Sequence, residues 1–166
     1  MEEILPEKVD EMVAYYLSHN HSVHNSYIKP FPNIIETLEL LKKAGITMGV
    51  VTSKRREGAI RALNAFDMPH YFSIIVAGDD VDRYKPDPYP ITKALEDLAV
   101  SPEQVLMVGD TPMDILCACN AGVKSVLVGW TYLKESDFAG CTPDYIIKEF
   151  PQLLDIVGIC GNPVPS

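Results

Sequence analysis

Val105-Leu106-Met107-Val108-Gly109-Asp110-Thr111-Pro112-Met113-Asp114 is the stretch that decides how this chain of 166 residues is read. An apolar run of strand length ends in an acid, and a helix start follows at once. Thr111 has the chemistry of an N-cap, Pro112 suits the first helical position, and Asp114 answers the cap. Those helix-start preferences explain the string from Thr111 onward. They leave Gly109-Asp110 unexplained, where a buried strand ends in a carboxylate. Asp110 and Asp114 are spaced so that both can meet near one hard cation such as magnesium.

The same order of apolar run and helix extends outward from that stretch. Upstream, the spacing of Ile34, Ile35, Leu38 and Leu41 predicts a helix that stops at Lys42-Lys43-Ala44-Gly45, where cations and then glycine suit a C-terminus. Strand Ile46 to Val51, helix Arg55 to Phe66, strand Ser73 to Ala77 and helix Tyr89 to Leu98 follow. Downstream come helix Met113 to Ala121, strand Ser125 to Val128, a short edge strand Tyr145 to Ile147 and a closing helical turn Gln152 to Val157. Near-continuous Val and Ile runs between helices predict parallel strands buried on both faces: an α/β protein with a three-layer open sheet of Rossmann type. Residues 1–30 form a separate segment, an amphipathic helix over Glu7 to Leu17 and a polar return loop, ahead of the α/β core at residues 31–166.

Composition narrows the function. Hydrophobic residues are 47% and charged residues 22%, a globular balance, and the net charge of −9 argues against nucleic acid or an anionic membrane surface as partner. No apolar run approaches the roughly 20 residues that span a bilayer. Cys117, Cys119, Cys141 and Cys160 are too sparse to staple a domain of this size, and no signal peptide opens the chain, so a reducing cytoplasm is the expected compartment. His19, His21 and His24 match no closed metal site.

In an open α/β sheet, ligands bind outside the carboxyl ends of the strands. The residues there are Thr52-Ser53-Lys54, Gly78-Asp79-Asp80, Lys85-Pro86-Asp87-Pro88 and Gly109-Asp110. Thr52 and Ser53 can hold a phosphate oxygen together with free N–H groups of a helix start, although Ser53 also reads as an ordinary N-cap. Lys85 precedes a proline, which keeps the loop extended and gives the ammonium a direction; an isolated Lys-Pro pair is otherwise a solvated surface feature. Cys117 and Cys119, two apart on a helix, face different ways, and at least one reads as a small core residue; Trp130, Thr131 and Tyr132 follow the last long strand and read as rim or as core or surface packing.

Taken in chain order, Val50-Val51-Thr52, Lys85-Pro86-Asp87-Pro88 and Gly109-Asp110-Thr111-Pro112-Met113-Asp114 resemble the second, third and fourth motifs of the haloacid dehalogenase superfamily, in its phosphoglycolate phosphatase-like branch. The resemblance runs from about Val9 to Val157. It implies a magnesium-dependent phosphatase of small phosphorylated metabolites. Thr52 would bond the transferring phosphoryl group, Lys85 would balance its charge, Asp110 would ligate magnesium, and Asp114 would support the metal or orient Lys85. Residues 1–30 would be the remnant of a helical cap.

The family's first motif, a central strand ending in Asp-x-Asp whose first aspartate attacks phosphorus, has no counterpart upstream of Thr52. Asp80-Val81-Asp82 fits the pattern but falls at the place of the family's third strand. The expected core therefore lacks its central first strand, leaving two open strand edges, and the chain by itself is expected to be inactive. A second chain or an N-terminal segment would complete the sheet. The alternative is a non-catalytic phosphate-binding or interaction subunit that needs a partner strand. A receiver domain of phosphorelay signalling is disfavoured by order, because the clearest acid pair comes after the lysine.

Overall fold

The computed structural model describes residues 29–159 except 132, 134, 139 and 141. The helix expected over Glu7 to Leu17, the three histidines at 19, 21 and 24, Tyr132, Cys141 and Cys160 lie outside the described residues. By contacts the chain divides into two units, Met1–Pro30 and Phe31–Ser166.

Within the second unit, helix α1 (Ile34–Lys43) carries Glu36 in its first turn and Lys42 and Lys43 in its last, the arrangement that complements the helix dipole. Strand β1 (Gly49–Val51) follows, then α2 (Arg56–Asn64), β2 (Ile74–Val76), α3 (Tyr89–Leu98), β3 (Leu106–Gly109), α4 (Pro112–Asn120), β4 (Lys124–Val128), β5 (Tyr145–Ile147) and α5 (Gln152–Ile156). The first expected strand is shorter than its apolar run because Ile46 closes α1. Its N–H donates to Leu41 O, while Gly45, at φ 79°, donates to Lys42 O.

All strand pairs are parallel. β1 pairs with β2, and β3, β4 and β5 pair in that order. No ladder joins β1 to β3 among the described residues, so the sheet is two pieces rather than one. Side chains alternate between two helical layers, as strand geometry demands. Val105 and Met107 from the β3 side and Val51 from β1 pack with Ile91 and Leu95 of α3 and Cys117 and Ala118 of α4. Leu106 and Val108 face the other way, onto Val126, Val128, Ile147 and Leu153 of α5. Thus α3 and α4 cover one face and bridge both sheet pieces, which sets β1 and β3 under a common roof without bonding them to each other.

The strands differ in burial. Ser125 to Val128 on β4 is fully buried, whereas Val50 and Val51 of β1 and all of β3 are only half-buried. A parallel strand that is buried on both faces normally has neighbours on both sides. β1 and β3 each show one.

Candidate active site

The site is built at the C-terminal end of β3. Thr111 is the N-cap of α4: its Oγ accepts from the Asp114 N–H at 3.3 Å and donates to Asp114 Oδ2 at 2.7 Å. Asp114 Oδ2 also accepts the N–H of Thr111 at 3.1 Å and that of Asp110 at 3.3 Å. Its other oxygen, Oδ1, takes Lys85 Nζ at 2.5 Å. Lys85 arrives from the β2–α3 loop, and the pair is well enclosed, with side-chain exposures of 13% for Lys85 and 6% for Asp114. Burial pushes the Asp114 carboxyl up, but the bonds from Lys85 and Thr111 together outweigh it and hold the group below the ordinary carboxylate value. Gly109 is required by this packing, because a Cβ there would lie 2.3 Å from Asp114 Cβ.

Both Asp114 oxygens accept hydrogen bonds, Oδ1 from Lys85 and Oδ2 from Thr111 and Asp110. The contact with Lys85 is the one that the other role named by the resemblance, orienting Lys85, calls for. Asp110 is exposed at the rim, and its main-chain carbonyl accepts from Thr131 Oγ1 at 2.8 Å. Thr131 therefore fixes the Asp110 turn, a link between β3 and β4 that sequence reading placed only as a rim residue. Among the described residues no group of three or more His, Cys, Asp or Glu could hold a metal ion. Asp110 offers an exposed carboxylate, which fits magnesium, an ion that takes one or two carboxylates from a protein and completes its shell with water and substrate oxygens.

Thr52 and Ser53 stand at the end of β1, in the other sheet piece. Thr52 N–H extends the ladder to Val76 O at 2.9 Å, and its Oγ accepts from Lys54 N–H at 3.2 Å. Ser53 is exposed and does not cap α2, whose N-cap is Arg55. The first helical N–H, that of Arg56, is instead taken by Asp79 Oδ1 at 2.7 Å. Sequence reading missed Asp79 as the anion at this helix start because it lies 23 residues away, in the loop after β2. The loops are pressed together: Gly78 N–H donates to Lys54 O at 2.8 Å, and a Cβ on Gly78 would lie 2.5 Å from Ser53 O.

Asp80 is engaged as well. Arg56 donates to Asp80 from Nε at 2.9 Å and from Nη2 at 2.5 Å, and Ala77 N–H adds a third bond at 2.7 Å. The Arg56 guanidinium holds the Asp80 carboxyl below its ordinary value against the opposing effect of burial. A carboxylate with both oxygens committed in this way is a clamp between loops, not a free nucleophile. The structure therefore brings Lys85, Asp110 and Asp114 together by hydrogen bonds. No hydrogen bond among the described residues joins them to Thr52 or Ser53.

A parallel α/β sheet with a lysine–aspartate pair and an acid at its strand ends defines a hydrolase of the haloacid dehalogenase kind. The family model of haloacid dehalogenase-like hydrolases matches residues 1–128, and the chain belongs to that family, among its phosphatases. It is 42% identical over 154 residues to the pyrophosphatase PpaX of Halalkalibacterium halodurans, covering 93% of this chain and 72% of that protein. To the pyrophosphatase PpaX of Anoxybacillus flavithermus it is 37% identical over 161 residues, 97% of this chain and 75% of that protein. Among solved structures it is similar to a predicted phosphoglycolate phosphatase from Haemophilus somnus, with a TM-score of 0.85 and 30% identity over 93% of this chain and 68% of that one. The two curated relatives carry the pyrophosphatase name rather than the phosphoglycolate phosphatase name that the motifs suggested; the latter is found on a structural neighbour at lower identity.

Proposed function

We propose that this chain carries the phosphate-holding part of a magnesium-dependent phosphohydrolase of the cytoplasm, acting on diphosphate or on small phosphorylated metabolites. The observation that carries the reading is the enclosed Lys85–Asp114 pair beside Asp110 at the end of β3. A cation held there by a buried carboxylate is aimed rather than frayed, and phosphoryl transfer asks the protein chiefly for positioned charge. Lys85 offsets the charge of the phosphoryl oxygens, Thr52 donates its hydroxyl to one of them, and Ser53 lines the same end. Asp110 is this chain's contribution to a magnesium site. The PpaX relatives favour a phosphoric anhydride as substrate.

This reading assigns the attack to none of the described residues, because Asp80 is bound by Arg56 and no ladder among the described residues joins β1 to β3. Turnover on this reading needs a strand between them that ends in an aspartate. A second reading, a non-catalytic phosphate-binding subunit, is favoured by that same lack of an assigned attacking group. Assays of inorganic diphosphate and p-nitrophenyl phosphate hydrolysis with magnesium separate the two. The purified chain should stay near background, and co-expression with an apolar segment ending in Asp-x-Asp should restore turnover. Background rates in both preparations would support the binding subunit. Strong turnover by the chain alone, lost in Asp80→Asn, would refute the assignment of Asp80 as a clamp.

A further inference from the structure

The loop that carries Lys85 is tied to α4 at three consecutive residues. Lys85 Nζ donates to Asp114 Oδ1 at 2.5 Å, Asn120 Nδ2 donates to Pro86 O at 2.9 Å, and Cys117 Sγ donates to Asp87 O at 3.1 Å. Asp114, Cys117 and Asn120 follow one another at three-residue spacing, so each is a neighbour of the next along one side of the helix. Inside the loop, Asp87 N–H donates to Tyr84 O at 2.9 Å, Tyr89 N–H donates to Asp87 Oδ1 at 2.8 Å, and the Arg83 guanidinium lies 4.2 Å from the Tyr89 ring centroid. Those contacts give the loop its shape. They do not fix it relative to β3, because all of them stay on the α3 side.

A lysine has a flexible four-carbon stem, so its ammonium is only as well placed as the backbone beneath it. We propose that Asn120 and Cys117 are positioning residues for Lys85: by holding Pro86 O and Asp87 O they set the loop at the height from which Lys85 reaches Asp114. This rests on the reading of Lys85 as the phosphate-facing cation. Neither residue follows from a catalytic motif. Asn120 is exposed and has no packing duty that would explain its bond to Pro86 O. Cys117 is fully buried in the α3–α4 cluster, and burial pushes its thiol up to about 11, so it stays protonated and able to donate.

The test reads Lys85 directly. The intact chain is treated with limiting formaldehyde and borohydride, and methylation of each lysine is followed by peptide mass spectrometry. Lys43, whose side chain is 69% exposed, is the reference, and Lys93 of α3 is the control for local loosening. Asn120→Ala should raise the Lys85 rate about two- to tenfold relative to Lys43, the factor by which one net hydrogen bond shifts a local opening equilibrium. Lys93 should not change. Cys117→Ala should raise the Lys85 rate similarly, while Cys117→Ser, which also removes the sulfur but keeps a donor, should restore it. An unchanged Lys85 rate in Asn120→Ala overturns the proposal, as does an equal rise in Cys117→Ser and Cys117→Ala, which would mark a packing effect. The readout needs no turnover. Failure of every hydrolysis assay would therefore remove the proposed function and leave the positioning intact.

Discussion

The two pieces of the sheet each carry one cation–carboxylate pair at a contact of 2.5 Å, and the surroundings of the two pairs are opposite. On the β1–β2 side, Arg56 and Asp80 have side-chain exposures of 44% and 21%. On the β3 side, Lys85 and Asp114 are at 13% and 6%. In water such a pair is screened and its worth is small; away from water each charge depends on the other. Arg56–Asp80 therefore joins two loops, a task that the close approach of Gly78 to Ser53 already shares. Lys85–Asp114 ties the loop after β2 to the start of α4, and it does so away from water. Geometry alone would rank the pairs equal. Burial separates them.

Removing one partner is the strongest way to break this comparison. Lys85→Met leaves the Asp114 carboxylate enclosed with only its Thr111 and main-chain donors. Breaking a buried pair on one side costs about 3 to 5 kcal/mol, and the residual exposure of Lys85 puts the expectation at the lower end, about 3 kcal/mol. Urea unfolding at neutral pH measures it. A loss under about 1 kcal/mol, the usual value of an exposed pair, would place Lys85–Asp114 in the same class as Arg56–Asp80.

Acid provides the next effect. The folded Asp114 carboxyl lies below its ordinary value, so the unfolded chain binds the proton more readily. Its contribution is fully present above the ordinary aspartate value of about 3.9 and is lost as pH falls through the lower folded value. Stability should therefore fall steeply below about pH 4, and the Asp114→Asn variant, starting lower, should lose less over the same interval. Urea midpoints at pH 6 and pH 3 give the two slopes. Parallel slopes would mean that the acid loss comes from other carboxylates, Glu39, Asp80 and Asp144 being the others held low.

How much of this was legible in the sequence follows from the range of each interaction. The helix over Tyr89–Leu98 and the edge strand Tyr145–Ile147 were read from local periodicity alone, and both stand at those residues. The capping box of Thr111 and Asp114 was legible for the same reason. Ile46 was misread because its apolar side chain fits a strand as well as it fits the residue that closes a helix, and only the bond to Leu41 O distinguishes them. The partners of the site were hidden further away. Lys85 meets Asp114 across 29 residues, a relation that only the family resemblance suggested, and Asp79 takes the Arg56 N–H across 23, a pairing that no window on the chain shows. The interrupted sheet was foreseeable for a different reason: a motif of the resemblance was missing, and β1 and β3 share no ladder among the described residues.

The exposed pair gives the smallest effect and the sharpest check on the comparison. Arg56→Gln removes the two-pronged contact with Asp80 but leaves the main-chain bond from Arg56 N–H to Asp79, so the start of α2 keeps its anion. The guanidinium also donates to Ile75 O at 2.7 Å, a bond that glutamine is poorly placed to keep. The expected loss is at most about 1 kcal/mol at low salt, and most of the part due to charge should disappear at high ionic strength, where screening reaches only a few ångströms. Lys85→Met should lose nearly as much in salt as without it, since a pair this enclosed is screened much less. Unfolding curves of the two variants at low and high sodium chloride therefore have different expected salt responses, one shrinking and the other nearly flat. If Arg56→Gln proves as costly as Lys85→Met and as indifferent to salt, the loops after β1 and β2 are held as firmly by their surface ion pair as the β3 end is by its buried one, and burial loses its place as the property that separates the two halves.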